Sequence, residues 1–362
     1  MCDDDTQELR GSTLQAVPVA QAVGTVLAHD ITEIRPGEFK GVAFKKGHII
    51  READIVRLQR LGKEHLFALR IAEDEMHENA AAYALAKALM GEGVAIKGEP
   101  KEGKIGIIAE QDGLLKIDRD ALLKFNMLGE VMCATLHDNT LVHKGRTVAG
   151  TRAIPLIVKK RVVQEAVAIG EGARPIIQVK KLRKPKVGVV ITGNEVYHGR
   201  IKDAFAPVIT KKIEELNGEL AGVHYAPDDR AFIAGRLREL MKDGADLLIT
   251  TGGMSVDPDD VTRFAIRDLG AKDIVYGSAV LPGAMFLVAY VNKEHESGSE
   301  QIPILGIPAC GMYARITIFD LVLPRVLSGE RIGRKEVAAL GHGGLCMKCE
   351  VCRYPVCPFG KQ

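Results

Sequence analysis

The stretch ADLLITTGGMSVDPDDVT, residues 245–262, joins an apolar run to two glycines and a cluster of acids. Its first part, ADLLIT (245–250), is continuously apolar and predicts a buried strand, whereas DDVTRFAIRDLG (259–270) has the apolar spacing of a helix. Strands that lead through a glycine turn into a helix are typical of α/β sheets, whose ligands bind beyond the carboxyl ends of the strands. The stretch therefore predicts a fold class and the position of a site.

The same alternation precedes this stretch. VGVVI (187–191) and ELAGVHYA (219–226) predict strands, while APVITKKIEELNG (206–218) and DDRAFIAGRLRELMKDG (228–244) predict helices that end at glycine. A β-α-β-α-β-α order with continuously apolar strands predicts a mostly parallel sheet covered by helices on both faces, with right-handed crossovers. We therefore expect an α/β protein with a three-layer α/β/α domain.

A basic segment, KKLRKPK (180–186), marks a change in composition and predicts a domain boundary. A solvated lead-in to the next strand explains its charge better than a nucleic-acid contact does. We expect a flexible N-terminus at 1–12, an N-terminal α+β domain at 13–180, the α/β domain at 187–330 and a Cys-rich C-terminal tail at 331–362.

The N-terminal half is less regular, and no catalytic constellation is found in it. TLQAVPVAQAVGTVLAHDI (13–31) predicts a short helix that leads into a strand, and residues 43–69 predict a turn, a helix and a strand. ENAAAYALAKALMGEG (78–93) predicts a buried helix, and residues 129–158 predict β-structure. We expect this half to provide architecture, a contact in a homo-oligomer or a lid.

Composition narrows the class of ligand and the location. Lys and Arg (49) nearly balance Asp and Glu (47), so an anion requires a local site, and nucleic acid is not expected as a partner. No apolar run reaches the roughly 18 residues of a membrane span, and the first ten residues are acidic where a signal peptide is basic. We expect no membrane partner and a cytoplasmic location.

Two glycine turns follow predicted strands: VITGNE (190–195) and ITTGGMS (249–255). Because the carboxyl ends of parallel strands meet at one edge of a sheet, both turns are expected on the same rim. Glycine lets backbone N–H groups approach a phosphate, and a following helix N-terminus favours negative charge. The two turns therefore predict an anion site.

Four further motifs follow one another in the C-terminal half: T-G-N-E (192–195), G-R-I-K-D (199–203), the aspartate pair 228–229, and T-G-G-M-S-V-x-x-x-D (251–260) with its D-V-T ending. In these motifs, residues 187–330 resemble the molybdopterin-binding domain shared by molybdopterin molybdotransferases and molybdopterin adenylyltransferases. In the N-terminal half, VPVAQAVGTVLAHDI (17–31) and KKGHIIREADIVRLQRLG (45–62) are similar to molybdotransferases, but the D-G-Y-A segment of their active site is missing.

The resemblance implies a protein of molybdenum cofactor biosynthesis that binds molybdopterin or its adenylylated form. The reaction implied is nucleotidyl transfer to the pterin phosphate or metal insertion with loss of AMP, with ATP or AMP and molybdate as partners. One alternative is a non-enzymatic carrier or sensor that delivers the cofactor to a molybdoenzyme partner. A second alternative is a damaged-nucleotide pyrophosphatase with the same fold.

The resemblance also implies a set of ligand-binding residues at the rim. Two motifs depart from the family: its L-P-G-N-P turn is present as IPACG (307–311) and its P-G-K-P turn as PGAM (282–285), so donors for an anion are lost. The implied cofactor-binding residues are Thr192, Gly193, Asn194, Glu195, Thr251, Gly252, Gly253, Ser255, Pro282, Gly283 and Pro308.

The acids of DPDD (257–260) have two interpretations. Asp257 followed by Pro258 is typical of a helix N-cap, and Asp260 at the third position resembles a capping box. Alternatively, a carboxylate holds Mg²⁺ against a phosphate, since Mg²⁺ takes one or two carboxylates. The family register favours Asp260 as the Mg²⁺ ligand and catalytic residue, with Asp203 as a second contact, and leaves Asp257 as a cap.

Four of the seven cysteines fall within the last seventeen residues, spaced C-x₂-C-x₂-C-x₄-C-P. This spacing favours a metal over disulfides. It is one residue longer than a bacterial ferredoxin motif, so a [4Fe–4S] cluster and a structural Zn²⁺ both fit, and a disordered thiol-rich tail is the alternative. The predicted ligands are Cys346, Cys349, Cys352 and Cys357.

Overall fold

The structure is a computed structural model that describes residues 15–35, 38–172, 174–254, 260–295 and 298–361. The chain divides into two compact units. The N-terminal unit comprises residues up to 110 together with 117–136 and 144–178, and the C-terminal unit comprises 111–116, 137–143 and the chain from 179 onward. Within the described part of the chain, no helix has the length and apolar character needed to cross a membrane.

The first half of the chain is rich in short antiparallel strands. The elements are β1 (Gln15–Pro18), a 3-10 turn (Val19–Gln21), β2 (Val26–Leu27), β3 (Ile31–Arg35), β4 (Phe39–Phe44), α1 (Glu52–Arg60), β5 (His65–Leu69), β6 (Glu75–His77), α2 (Glu78–Leu89), β7 (Val94–Lys101), β8 (Lys104–Ala109), β9 (Gly113–Ile117), α3 (Arg119–Asn126), β10 (Val131–Thr135), β11 (Thr140–Val142), β12 (Thr147–Ala153), β13 (Ile157–Lys159), α4 (Lys160–Gly170) and β14 (Ile177–Lys180). Four strands form one sheet in the order β10-β12-β8-β7, three form another in the order β1-β5-β2, and β3 pairs with β4.

Most of the helices and strands expected in this half are confirmed, and one expected helix is wrong. Helix α2 is buried along Ala81, Ala82, Leu85, Ala86 and Leu89, as its periodicity predicts. The short helix expected within residues 13–31 is absent from the described part of that range, where β1 leads into a single 3-10 turn. Strand β1 pairs antiparallel with β5, and this pairing overrides the helical spacing.

The C-terminal unit contains a six-stranded, mostly parallel sheet, as predicted. The elements are β15 (Lys186–Thr192), α5 (Asn194–Tyr197), α6 (Phe205–Glu214), β16 (Glu219–Ala226), α7 (Arg230–Lys242), β17 (Leu247–Thr251), α8 (Thr262–Asp268), β18 (Lys272–Tyr276), β19 (Leu287–His295), β20 (Gly298–Ile307), a 3-10 turn (Ala309–Met312), α9 (Ile318–Leu327) and α10 (Arg334–Ala339). The strand order is β16-β15-β17-β20-β19-β18. The first four strands are parallel to one another, and β19 is antiparallel to both of its neighbours, β20 and β18.

Two hydrophobic cores lie on opposite faces of this sheet. Along β15 the side chain of Val189 belongs to the core with α6 and α9, and the next residue, Val190, belongs to the core with α7 and α8. Strand β17 alternates in the same way at Leu248 and Ile249. Full burial of each such side chain contributes roughly 1.5–3 kcal/mol. The α/β/α layering therefore follows from strands that are apolar on both faces.

The C-terminal tail, residues 344–361, is docked on the C-terminal unit. The N–H of Leu281 donates to the carbonyl of Gly344 (2.8 Å), and the N–H of Cys346 donates to the carbonyl of Leu281 (2.9 Å). Phe359 is 3% exposed in the core shared with α6 and α9. The alternative of a disordered tail is therefore wrong for these residues.

Candidate functional site

A cavity of about 900 Å³ lies at the carboxyl ends of β17 and β20 in the C-terminal unit. We call it the rim cavity. Its walls come from the turn after β17 with Asp260, the loop 281–285 before β19, parts of the segment 308–316 after β20, and parts of the tail between 345 and 359. The cavity occupies the edge of the sheet that the strand order predicts for a ligand.

The turn after β17 can be built only with glycine. Gly252 has φ +77° and Gly253 has φ +56°, a backbone conformation that L side chains rarely adopt. A Cβ on Gly252 would overlap the carbonyl oxygen of Thr192, and a Cβ on Gly253 would overlap the hydroxyl of Thr262. The turn therefore presents bare backbone to the rim cavity.

A buried network of threonines supports this turn. The Thr192 hydroxyl lies 2.8 Å from the carbonyl oxygen of Thr251, to which it donates, and 3.1 Å from the Thr262 hydroxyl. Thr251 is fully buried, and its own hydroxyl has no hydrogen-bond partner among the described residues. Such a group costs about 1–3 kcal/mol when it stays unsatisfied. The network therefore fixes the backbone that carries the glycine turn.

Asp260 lines the rim cavity beside this turn. Helix α8 begins at Thr262 with Val261 as its N-cap. Asp260 was expected in the first turn of this helix, but it precedes the helix. The capping-box interpretation of Asp260 is therefore wrong. The predictions for Ser255, Asp257 and Asp259 fall on residues outside those that the structure describes.

The turn after β15 is bonded within itself. The Asn194 N–H donates to Oδ2 of Asp228 (2.9 Å), and the Asp228 N–H donates to Oδ1 of Asn194 (3.2 Å). The Glu195 carbonyl accepts from the N–H groups of Arg200 and Ile201. Because these bonds use its polar groups locally, this turn organises a loop beside the rim cavity and does not line it.

Asp203 holds the start of α6. Its Oδ1 accepts from the N–H of Phe205 (2.8 Å), and its Oδ2 accepts from the N–H of Ala206 and the hydroxyl of Tyr225 (both 3.1 Å). Burial raises the pKa of the Tyr225 hydroxyl, and the Asp203 charge acts in the same direction. Asp203 lies outside the cavity lining, and its catalytic role stays a prediction.

The structure brings most of the predicted site residues to one place, including those of the tail. The predicted residues that line the rim cavity are Gly252, Gly253, Asp260, Pro282, Gly283, Pro308, Cys346, Cys349, Cys352 and Cys357. The predicted and described residues that do not line it are Thr192, Gly193, Asn194, Glu195, Asp203 and Thr251.

Three cations that sequence reasoning missed also line the cavity: Arg315, Lys348 and Arg353. Among the described lining residues, Asp260 is the one carboxylate, so positive charge prevails and favours an anion. Lys348 and Arg353 lie in the tail, between predicted metal ligands. They supply positive charge at a cavity where the P-G-A-M turn (282–285) lacks the family's lysine.

The cavity is also rich in sulfur. Five of the seven cysteines and three of the ten methionines line it. Burial raises the pKa of the Cys310 thiol, which favours its protonated form. Across the described residues, no three His, Cys, Asp or Glu side chains are grouped closely enough to hold a metal ion. The cysteines therefore border one cavity without forming a closed metal site.

Fold and cavity together define an α/β domain with a cavity, lined by three cations, beyond the ends of its parallel strands. Residues 188–328 match the model of a family described as probable molybdopterin binding domain. The chain thus contains a domain of this family, as the sequence motifs indicated. Residues 16–70 match a domain of unknown function, DUF8806.

Curated relatives share part of the chain. A CinA-like protein of Mycobacterium sp. (strain MCS) is 39% identical over 89 residues, which are 23% of this chain and 21% of that protein. A CinA-like protein of Mycobacterium tuberculosis (strain ATCC 25177 / H37Ra) is 40% identical over 90 residues, 25% of this chain and 21% of that protein. The matches thus span 21% of the length of each relative.

Among solved structures, the tungsten cofactor synthesizing protein MoaB from Pyrococcus furiosus is 18% identical, with a TM-score of 0.31. The match covers 41% of this chain and 99% of that one. A likeness of this degree supports no argument about activity.

Proposed function

We propose that the rim cavity binds molybdopterin or its adenylylated form, and that the protein acts in molybdenum cofactor biosynthesis. The observation that supports this most is the convergence of the glycine turn (252–253), Asp260 and three cations on one cavity. The ligand is an anion with a flat pterin ring, and the cavity offers it positive charge next to apolar walls.

The phosphate end of the ligand would lie against the glycine turn. Two consecutive residues without Cβ atoms let the ligand reach backbone N–H groups closely. Arg315, Lys348 and Arg353 would offset the phosphate charge, and the arginines are suited to bidentate contacts with phosphate oxygens. The buried threonine network keeps the turn in place before the ligand arrives.

Asp260 would hold Mg²⁺ against the phosphate. Mg²⁺ takes one or two carboxylates and completes its octahedron with water and phosphate oxygens, so a single lining carboxylate fits. Bound there, the ion supplies positive charge to the transferring group. We propose metal insertion with loss of AMP, or nucleotidyl transfer to the pterin phosphate, as the reaction, with Asp260 positioning the ion.

A turnover assay tests this reaction. Full-length protein is incubated with molybdopterin, ATP, Mg²⁺ and molybdate, and release of pyrophosphate and AMP is measured. The proposal expects release that depends on Mg²⁺ and falls in Asp260→Asn. A variant with wild-type turnover would contradict the role of Asp260.

A non-enzymatic carrier is the second candidate function. It is favoured by Asp203, whose carboxylate is taken up at the start of α6 away from the cavity lining. A carrier binds molybdopterin but releases no AMP or pyrophosphate in the same assay. Pyrophosphate or AMP release would exclude it.

A further inference from the structure

Large apolar residues lie exposed at the rim cavity. Leu281, Tyr313, Leu345 and Met347 all line it, and each of them is between 55% and 79% exposed. Single exposed apolar residues are common on protein surfaces, whereas several around one cavity are typical of a binding site. We call these four residues the apolar mouth. The phosphate contacts of the proposed function leave the apolar mouth unexplained.

Tyr313 is the exposed aromatic residue of the cavity lining. The other aromatic residue among the described lining residues is Phe359, which is buried in the core shared with α6 and α9. Tyr313 is 79% exposed and also borders a second cavity, of about 700 Å³, in the same unit. An exposed tyrosine ring offers a face on which a flat heteroaromatic ring can stack. Tyr313 is therefore the residue of the lining that is suited to such a ring.

The backbone on either side of Tyr313 is held in place. The N–H of Ala314 donates to the carbonyl of Cys310 (2.9 Å), which closes the turn after β20. The ammonium group of Lys212 in α6 donates to the carbonyl of Arg315 (3.0 Å). Because the backbone is fixed before a ligand binds, stacking on this ring costs little ordering entropy.

The other members of the apolar mouth are held by backbone contacts as well. A parallel β-bridge joins Leu281 to Leu345, and the N–H of Cys346 donates to the Leu281 carbonyl (2.9 Å). Met347 follows Leu345 by two residues in the same segment. The two leucines are therefore neighbours at the cavity although they are distant in the sequence. Their exposed surface can be covered by a ligand without rearrangement of the backbone.

We propose that the apolar mouth binds the flat ring of the ligand, with Tyr313 stacked on it, and that it makes the rim cavity select flat heteroaromatic anions over other phosphates. This inference rests on the proposed function, in which the glycine turn and the cations hold the phosphate. Charge contacts of that kind do not distinguish one phosphate ester from another. The ring contacts supply the discrimination, because burying the ring removes apolar surface of both partners from water.

The test measures binding to full-length wild type and Tyr313→Ala by isothermal titration calorimetry. The three probes are molybdopterin, carboxypterin, which is a flat ring with a carboxylate, and glycerol phosphate, which has no ring. Loss of one ring stack on an aromatic side chain costs about 5- to 150-fold in affinity. We expect Tyr313→Ala to bind molybdopterin and carboxypterin at least about tenfold more weakly, and to bind glycerol phosphate within about twofold of wild type.

Two control variants separate the ring from other effects. Tyr313→Phe keeps the ring and is expected to bind both pterins within about twofold of wild type. Tyr83→Ala removes an exposed tyrosine of the N-terminal unit, which does not line the rim cavity, and is expected to leave all affinities unchanged. A loss in Tyr313→Phe as large as that in Tyr313→Ala would assign the effect to the hydroxyl and overturn stacking.

Three further results would overturn the inference. Equal losses for carboxypterin and glycerol phosphate would show that the substitution distorts the anion site. Simultaneous binding of carboxypterin and molybdopterin to one chain would place the ring in the second cavity. A change of oligomeric state in Tyr313→Ala without a change of affinity, measured by analytical ultracentrifugation, would show that the apolar mouth is an interface between copies of the chain.

The same titrations separate this inference from the proposed function. A wild type that binds no molybdopterin disproves the proposed function and this inference together. A wild type that binds molybdopterin while Tyr313→Ala binds it equally well disproves this inference alone.

Discussion

Two glycine turns end neighbouring parallel strands of one sheet, yet they have different surroundings. Strands β15 and β17 pair side by side, with Ile191 opposite Thr251. The turn after β15 exchanges hydrogen bonds with Asp228, whereas the turn after β17 lines the rim cavity. Position on the rim therefore does not decide the role of a glycine turn. Its role depends on the segments of the chain that lie opposite it.

Gly252→Ala, in the turn after β17, is expected to cause the largest loss of molybdopterin affinity. The new Cβ overlaps the Thr192 carbonyl, so the backbone shifts and its N–H groups no longer meet the phosphate. Losing two hydrogen bonds to a charged group costs about 3 kcal/mol, roughly 100-fold in molybdopterin affinity. The measurement is a fluorescence titration with molybdopterin.

Gly270→Ala is the matched control for this substitution. Gly270 has φ +87°, but a Cβ there meets no atom within 4 Å. Its cost is the strain of a left-handed residue alone, roughly 1–2 kcal/mol of unfolding free energy, with unchanged affinity. Equal affinity losses in the two variants would show that strain, and not the cavity, explains the first result.

Asp260→Asn is expected to have the next largest effect. It removes the carboxylate for Mg²⁺, so affinity for molybdopterin at saturating Mg²⁺ falls by about 2 kcal/mol, roughly 30-fold. Without Mg²⁺ the variant binds at least as well as wild type, because a negative charge beside the phosphate is gone. Titrations with and without Mg²⁺ test both expectations: weaker binding than wild type with Mg²⁺, and binding at least as strong without it.

Asp203→Ala is the comparison variant on the loop that leads from the turn after β15 to α6. Its carboxylate supports the first turn of α6, so unfolding free energy is expected to fall by about 1 kcal/mol while the Mg²⁺ dependence of binding persists. Loss of that dependence in Asp203→Ala would place the metal at the turn after β15 instead.

Arg353→Ala is expected to have a smaller effect. An exposed cation contributes up to about 1 kcal/mol, so affinity falls by at most about fivefold, and the difference shrinks as salt is added. Lys335→Ala, which removes an exposed cation outside the cavity lining, serves as the control. A salt-independent loss in Arg353→Ala would argue against a charge effect.

Asn194→Ala is expected to have the smallest effect on binding. It removes the bond to the Asp228 N–H, so unfolding free energy falls by about 0.5–1.5 kcal/mol, while molybdopterin affinity stays within about twofold. Chemical denaturation and the same titration measure the two quantities. A large loss of affinity would show that both turns contact the ligand.

Local patterns predicted much of the sheet. The strand expected at 219–226 is β16 with those bounds, and the helices expected at 206–218 and 228–244 are α6 and α7 within a few residues. Apolar runs do not reveal the partner or direction of a strand, however. The antiparallel pairing of β19 with β20 was therefore not predicted, since strand direction depends on which strands become neighbours.

The wall of the rim cavity that the tail provides could not be predicted either. It depends on the bridge between Leu281 and Leu345, two residues distant in the sequence that no periodicity connects. The four cysteines were expected in a separate segment, and Lys348 and Arg353 between them were not expected at a ligand site. The positions of these cysteines and of the two cations at the cavity depend on the docking of the tail, which local sequence patterns do not reveal.

The most direct test of the central claim is a titration of full-length protein with molybdopterin in the presence of Mg²⁺, followed by pterin fluorescence. It compares wild type with Gly252→Ala and Asn194→Ala. The account predicts that wild type and Asn194→Ala bind a single molybdopterin per chain with similar affinity and that Gly252→Ala loses binding. A wild type that does not bind, or stronger loss in Asn194→Ala than in Gly252→Ala, would contradict it.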